Sequence, residues 1–144
     1  MSQSNNSTTG AKFEDAVLLF FRGADLDLSR NHSVEVGAGS FRKAHRFDLG
    51  SSDPPTLVEC KSHTWTDGGN APSAKLSVWN EAMLYFSVAP VGHRKILAVL
   101  AHARRGESLA DHYVKRFQHL VPPGVEIWEI VADGSSGRHV FTGR

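Results

Sequence analysis

The sequence contains one cysteine, Cys60, among its 144 residues. A single thiol cannot form an internal disulfide, and a lone cysteine in an apolar segment is typical of a small core residue in a reducing compartment. The chain also lacks an apolar run long enough to cross a membrane, and its polar residues 1–9 lack the basic and apolar regions of a signal peptide. These absences predict an intracellular, cytoplasmic protein without a membrane partner.

An excess of charge of one sign is absent as well, because the formal net charge is only +1. Any affinity for nucleic acid must therefore come from local basic clusters. The histidines show no His-Glu-x-x-His or Cys/His spacing of a zinc site, and the chain has no Gly-Lys-Ser/Thr phosphate loop and no Gly-x-Gly-x-x-Gly fingerprint. These absences disfavour a zinc site and exclude nucleotide hydrolysis by a P-loop.

What the chain does contain is enough apolar sequence, 40% of its residues, for one core. We expect residues 1–10 to form a flexible tail and residues 11–144 to form a single α/β domain, with a mixed central sheet flanked by helices. Hydrophobic periodicity predicts the element order αβββαβαβ. The predicted helices cover residues 11–23, 73–89 and 107–120, and the predicted strands cover residues 33–37, 41–49, 56–62, 95–101 and 125–131.

The most informative segment is an apolar strand-like run in which an acid, Glu59, and a lysine, Lys61, are one residue apart. Successive side chains of a strand point to opposite faces, so Glu59 and Lys61 share one face and Cys60 occupies the other. The preceding strand ends near Asp48, and a turn-forming segment joins the two strands as a hairpin. Two carboxylates roughly 4 Å apart repel by about 4 kcal/mol at an effective dielectric near 20, so the pair requires a cation. Magnesium suits such a position.

This arrangement resembles the PD-(D/E)XK nuclease superfamily, the restriction-endonuclease-like fold, whose signature is an Asp, a spacer and Glu-x-Lys on a strand. The matching residues are Asp48, Glu59 and Lys61, and Phe47 stands where the name of the motif places a proline. The resemblance implies a restriction-endonuclease-like core and a Mg²⁺ cofactor, for which Mn²⁺ can substitute. The implied metal ligands are Asp48, Glu59 and the main-chain carbonyl of Cys60, with the Lys61 ammonium against the attacking water or a phosphate oxygen.

The resemblance extends to both predicted helices that flank the motif. Glu14 matches an acid on the first helix that contacts the metal directly or through water, whereas the alternative is a first-turn acid that complements the helix dipole. Its helical row continues with Leu18 and Phe21 and should border the core. Glu81 and Tyr85 are similar to the Gln-x-x-x-Tyr motif of the recombination-nuclease branch, with Glu in place of Gln. The alternative is a solvated Glu beside a core Tyr.

Further candidates for substrate binding follow from charge and position. His63 continues the strand face of Lys61 and is either a contact to substrate or metal or an ordinary surface residue. Trp65, in a Gly-rich loop, either stacks on a base or caps the core. Lys75 and Arg46 are candidate phosphate contacts, and Arg46 belongs to a basic cluster that includes His45. For both, a solvated basic residue is the alternative.

The sequence therefore predicts a magnesium-dependent nuclease that hydrolyses phosphodiester bonds of nucleic acid, with DNA endonuclease action as the favoured reaction. A homodimer is one way in which so small a domain reaches both strands. Two alternatives stay open. One is a non-catalytic nucleic-acid-binding or assembly module that has kept the nuclease fold. The other is a nuclease acting on RNA, because nothing in the sequence reads the 2′-hydroxyl.

Overall fold

A six-stranded mixed sheet with helices on both faces forms the centre of the protein, which confirms the predicted α/β class. The structure, a computed structural model, describes the backbone of residues 3–144 and the side chains of residues 8–144. The elements in chain order are α1 (Gln3–Gly23), β1 (Ser29–Val36), β2 (Lys43–Ser52), β3 (Pro55–Lys61), α2 (Ser73–Ser87), β4 (Arg94–Leu100), β5 (Ala103–Arg104), β6 (Glu107–Ser108), α3 (Leu109–Phe117), a 3-10 turn (Gln118–Leu120), β7 (Val125–Ile130) and β8 (Gly137–Thr142).

The strands of the sheet lie in the order β1-β2-β3-β4-β7-β8. Strand β2 is antiparallel to both of its neighbours, β1 and β3, whereas β3, β4 and β7 are parallel, and β8 is antiparallel to β7. Parallel neighbours need long crossover connections, and here α2 joins β3 to β4 while α3 lies between β4 and β7. The carboxyl ends of β3, β4 and β7 therefore lie at the same end of the sheet, and Lys61 is the last residue of β3.

The sheet is buried on both faces, each of which carries its own apolar cluster. In β4, Ile96 and Ala98 belong to the cluster under α1, whereas Leu97 and Val99 belong to the cluster under α2 and α3. This alternation follows the pleat of the strand. A strand that buries both faces reads as a continuous apolar run, which explains why the centre of β4 was predictable from sequence.

Three strands of the structure, β5, β6 and β8, were not predicted. Strand β8 follows β7, and the short hairpin of β5 and β6 precedes α3, so the chain order is longer than αβββαβαβ. Residues 107–108, predicted as helical, form β6 instead. Ser108 is the N-cap of α3, and its Oγ accepts a hydrogen bond from the Asp111 N–H at 3.0 Å, which starts the helix two residues later than predicted.

Helix α1 begins at Gln3, so it includes residues 3–10, which the sequence analysis assigned to a tail; Met1 and Ser2 lie outside the described residues. The row of Glu14 does border the core, because Phe21 is 1% exposed with its ring 5.7 Å from that of Trp128. Phe20, predicted for the core row, is only partly buried. Within residues 3–144, no helix combines the length and the apolarity needed to cross a membrane.

Candidate functional site

The β2–β3 hairpin brings Asp48 and Glu59 together. Strand β2 extends to Ser52, three residues beyond its predicted end, and the regular pairing of the two strands finishes at Leu49 opposite Val58. The next residue of each strand, Asp48 and Glu59, lies beyond this regular pairing. The hairpin nevertheless brings the two acids side by side, as the sequence predicted.

Two hydrogen bonds hold this Asp48–Glu59 pair in position. The Asp48 N–H donates to Glu59 Oε2 at 2.9 Å, and the Cys60 N–H donates to Asp48 Oδ2 at 2.8 Å. In a regular antiparallel ladder, such main-chain donors bond to carbonyl oxygens of the neighbouring strand. Here one oxygen of each carboxyl group accepts the hydrogen bond in place of a main-chain carbonyl oxygen. The main chain of each strand thus orients the acid of the other.

The environment of Glu59 disfavours its negative charge. The residue is 8% exposed, and burial is the largest of the influences that raise the pKa of its carboxyl group to about 7. The charge of Asp48 and a side-chain hydrogen bond to Asp48 raise the pKa further, while the Asp48 N–H and Lys61 act in the opposite direction. The pair therefore binds a proton more tightly than an isolated carboxyl group does. Any cation that replaces this proton relieves the repulsion.

Lys61 and Cys60 occupy opposite sides of β3, as predicted. Cys60 packs against the apolar cluster under α1, and burial raises the pKa of its thiol well above the usual value, so the sulfur stays protonated. Lys61 is half-buried at the end of β3 and forms no ion pair with any residue from 8 to 144. Its ammonium is available to an external anion.

Glu14 is not part of the acid pair. Its Oε1 accepts a hydrogen bond from Arg30 Nε at 3.0 Å, and the same guanidinium also contacts Asp15 and the carbonyl of Ala11. These contacts tie α1 to β1. Among the described residues, no group of three or more His, Cys, Asp or Glu side chains is arranged to hold a metal ion. The predicted set of Glu14 with the Asp48–Glu59 pair is therefore not assembled, because Arg30 binds the third acid.

Glu81 and Tyr85, the two candidates on α2, are linked to the Asp48–Glu59 pair by His45. The ring of Tyr85 stacks on that of His45 with centroids 3.7 Å apart, and Glu81 is exposed one helical turn earlier. Burial lowers the pKa of His45, while the charges of Asp48 and Glu81 oppose this effect. The Nε2 atom of His45 is buried without a hydrogen-bond partner within residues 8–144. From the sequence, His45 is expected only as a member of a basic cluster, because local sequence does not signal its stacking partner.

The loop after β3 is attached to the second helical layer. His63 Nδ1 accepts a hydrogen bond from Trp79 Nε1 at 3.0 Å. The main-chain N–H of Trp65 donates to His102 Nδ1 at 3.1 Å. The Trp65 ring packs against the cluster under α2 and α3, with its centroid 5.0 Å from that of His112. Both candidates of this loop are therefore held by residues that are distant in sequence.

The two remaining basic candidates lie in different places. Lys75 is exposed in the first turn of α2 and lines a cavity together with His63. Arg46 is exposed and lies between His45 and Phe47 along β2, so its side chain points to the opposite face of the strand. Lys75 thus lies near the end of the sheet where Lys61 completes β3. The side chain of Arg46 points away from that of His45.

Comparisons of the chain with protein-family models, curated proteins and solved structures find no match. Functional inference therefore depends on the geometry and the charges of the Asp48–Glu59 pair and its surroundings.

Proposed function

We propose that the protein is a divalent-metal-dependent nuclease that hydrolyses phosphodiester bonds of nucleic acid, with DNA endonuclease action as the favoured reaction. The observation that carries this proposal is the Asp48–Glu59 pair, held by reciprocal main-chain hydrogen bonds, with Lys61 on the same strand. The proposal includes a PD-(D/E)XK assignment with a restriction-endonuclease-like core. The succession of α1, the antiparallel β1–β3, α2 and the parallel β4 supports it.

The donor chemistry of the pair fits Mg²⁺ or Mn²⁺. These ions prefer hard oxygen ligands, and Mg²⁺ is commonly held by one or two carboxylates together with waters and substrate phosphate. Asp48, Glu59 and the main-chain carbonyl of Cys60 would hold the ion. The raised pKa of Glu59 supports the fit, because the pair repels without a cation between its members. Glu14 is not required, since Arg30 already neutralises it.

When bound, the ion would polarise the scissile phosphate and lower the pKa of an attacking water. The chain itself supplies orientation and charge. Asp48 and Glu59 are held to the main chain and present their remaining oxygens from fixed positions. Lys61, which shares the face of Glu59 along β3, places a positive charge where negative charge develops on the phosphate.

The test is cleavage of duplex, single-stranded and branched DNA and of RNA, with Mg²⁺ or Mn²⁺ and with chelator. We expect Lys61→Ala to lower the rate by roughly 10²–10³-fold, the effect of removing one group that stabilises developing charge. Lys115→Ala is the matched control, because this lysine is exposed on α3 and forms an ion pair with Glu107. Equal rates for the two variants would refute the mechanism.

The same experiment separates the alternatives. Cleavage of RNA but not of DNA would keep the site and change the substrate. If no nucleic acid is cleaved and calorimetry detects no binding of Mg²⁺ or Mn²⁺, a non-catalytic binding or assembly module is favoured. Binding of metal that is unchanged in Asp48→Ala would place the ion elsewhere and would contradict the proposed ligands.

A further inference from the structure

His63 has a fixed tautomer. The indole Nε1 of Trp79 can only donate a hydrogen bond, so His63 Nδ1, 3.0 Å away, must be the acceptor. A neutral His63 therefore carries its proton on Nε2. Burial, followed by the charges of Lys61 and Lys75, lowers the pKa of His63 and favours the neutral ring. The side chain is thus a positioned N–H donor with a set direction.

A cavity of about 290 Å³ lies beside this donor and is lined by Thr9, Ser62, His63 and Lys75. An adjoining cavity of about 370 Å³ shares Ser62, His63 and Lys75 and continues along the loop after β3 to Asp67 and Pro72. The space next to His63 and Lys75 is therefore large enough for a group that reaches in from solvent.

The charges around His63 favour an anion in this space. The charged groups that act on His63 are Lys61 and Lys75, both positive. Neither lysine forms an ion pair within residues 8–144. Asp67 is the acid in the lining of the larger cavity and does not line the smaller one. Two unpaired cations and a fixed N–H donor together are complementary to a phosphate.

We infer that His63 and Lys75, beside Lys61, form an anion subsite that binds a phosphate group of the nucleic acid next to the phosphate being cleaved. The ligand is either a backbone diester or a terminal monoester, since both present anionic oxygens to the same donors. The identity of this ligand rests on the proposed nuclease function, whereas the subsite itself rests on the Trp79–His63 bond and the unpaired lysines.

Binding without metal tests the subsite apart from catalysis. The affinity of a fluorescent single-stranded DNA oligonucleotide is measured by anisotropy in chelator over a range of salt concentrations. We expect Lys75→Met to weaken binding and to reduce the slope of log affinity against log salt by about 0.7, the value for one phosphate contact on a single strand. Lys115→Met is the control and should bind like the wild type, because Lys115 lies on α3 in an ion pair.

A second pair of variants tests the role of the fixed tautomer. His63→Leu should weaken binding about tenfold, because a hydrogen bond to an anion is lost. His63→Gln should retain most of the affinity, since its carbonyl can accept from the Trp79 N–H while its amide donates to phosphate. A role of His63 in the fold alone does not predict this rescue. Circular dichroism checks that both variants are folded.

The source of the phosphate is resolved by comparing oligonucleotides with and without a 5′-phosphate. A larger loss in His63→Leu with the phosphorylated strand indicates a terminal monoester, and equal losses indicate a backbone diester. Inorganic phosphate should also shift the NMR resonances of the His63 ring.

The inference is overturned if His63→Leu and Lys75→Met both bind DNA like Lys115→Met, or if inorganic phosphate leaves the His63 resonances unmoved. If the nuclease proposal alone is wrong, cleavage with metal is absent while the two variants still bind DNA more weakly than Lys115→Met. Conversely, metal-dependent cleavage with unchanged binding by both variants rejects the subsite alone.

Discussion

Replacing Glu59 by glutamine is expected to stabilise the metal-free protein at pH 8 and to abolish its cleavage of nucleic acid. The pKa of Glu59 is about 7 in the folded protein against 4.5 for an unperturbed carboxyl group, so the folded state binds this proton more tightly. The stability that Glu59 contributes is therefore complete below pH about 4.5, falls as the pH rises, and is lost above pH about 7.

The magnitude follows from the same two pKa values. At about 1.36 kcal/mol per pH unit, a rise from 4.5 to about 7 corresponds to about 3 kcal/mol against folding at pH 8. A glutamine carries no charge, and its amide oxygen can still accept the hydrogen bond of the Asp48 N–H. We therefore expect Glu59→Gln to raise the free energy of unfolding by up to about 3 kcal/mol at pH 8 and by almost nothing at pH 4.

The assay is urea denaturation in chelator at pH 4, 6 and 8, followed by far-ultraviolet circular dichroism. Taking the difference between the two proteins removes the contribution of other titrating groups, such as His45, whose pKa is lowered by burial. Glu35→Gln is the control, because Glu35 is exposed on β1 and should leave the stability unchanged at every pH. A difference between wild type and Glu59→Gln that does not grow from pH 4 to pH 8 would refute the reasoning.

Magnesium provides a second readout of the same pair. An ion that binds only the folded protein at ten times its dissociation constant adds about 1.4 kcal/mol of stability. We expect this increase in the wild type at pH 8 and its loss in Glu59→Gln, which has one carboxylate fewer for the ion.

Three further predictions concern an ion pair, the core and a glycine elsewhere in the fold. Glu14→Gln should lower stability by at most about 1 kcal/mol, because its ion pair with Arg30 is partly exposed, and it should leave the calorimetric affinity for magnesium unchanged. Phe47→Ala, which empties a fully buried position under α2, should cost about 3–5 kcal/mol in urea denaturation. Gly134→Ala should lower the thermal unfolding midpoint more than Gly92→Ala. Both glycines have positive φ, but an added Cβ at Gly134 would lie 2.5 Å from a main-chain oxygen of α1, whereas the space at Gly92 is open.

Local patterns were sufficient for much of the sheet. The apolar run of β4 and the alternation of β7 predicted both strands to within one residue at each end, because burial on one or two faces dictates these patterns directly. Strand β8 was missed for the opposite reason. It is an edge strand of partly or fully exposed residues, so its pairing with β7 leaves little trace in hydrophobicity.

The acid pair was predictable because it depends on short-range geometry. Residues of β2 and β3 are joined by a tight hairpin, and the register of a hairpin follows from the turn and from the side-chain alternation of its strands. A hairpin that joins these two strands brings Asp48 near Glu59. Their reciprocal bonds to the main chain were not predictable, because the sequence does not indicate where the regular ladder stops.

The sequence by itself thus determined the α/β class, the central strands and the approach of Asp48 to Glu59, all of which arise from the periodicity of neighbouring residues. Only the tertiary structure decided which partner each remaining group receives. Arg30 binds Glu14 from another element, 16 residues away, and Trp79 orients His63 from α2 over the same sequence separation. Such partners are selected by the packing of helices on the sheet, and the charge, tautomer and accessibility of each site residue depend on that packing.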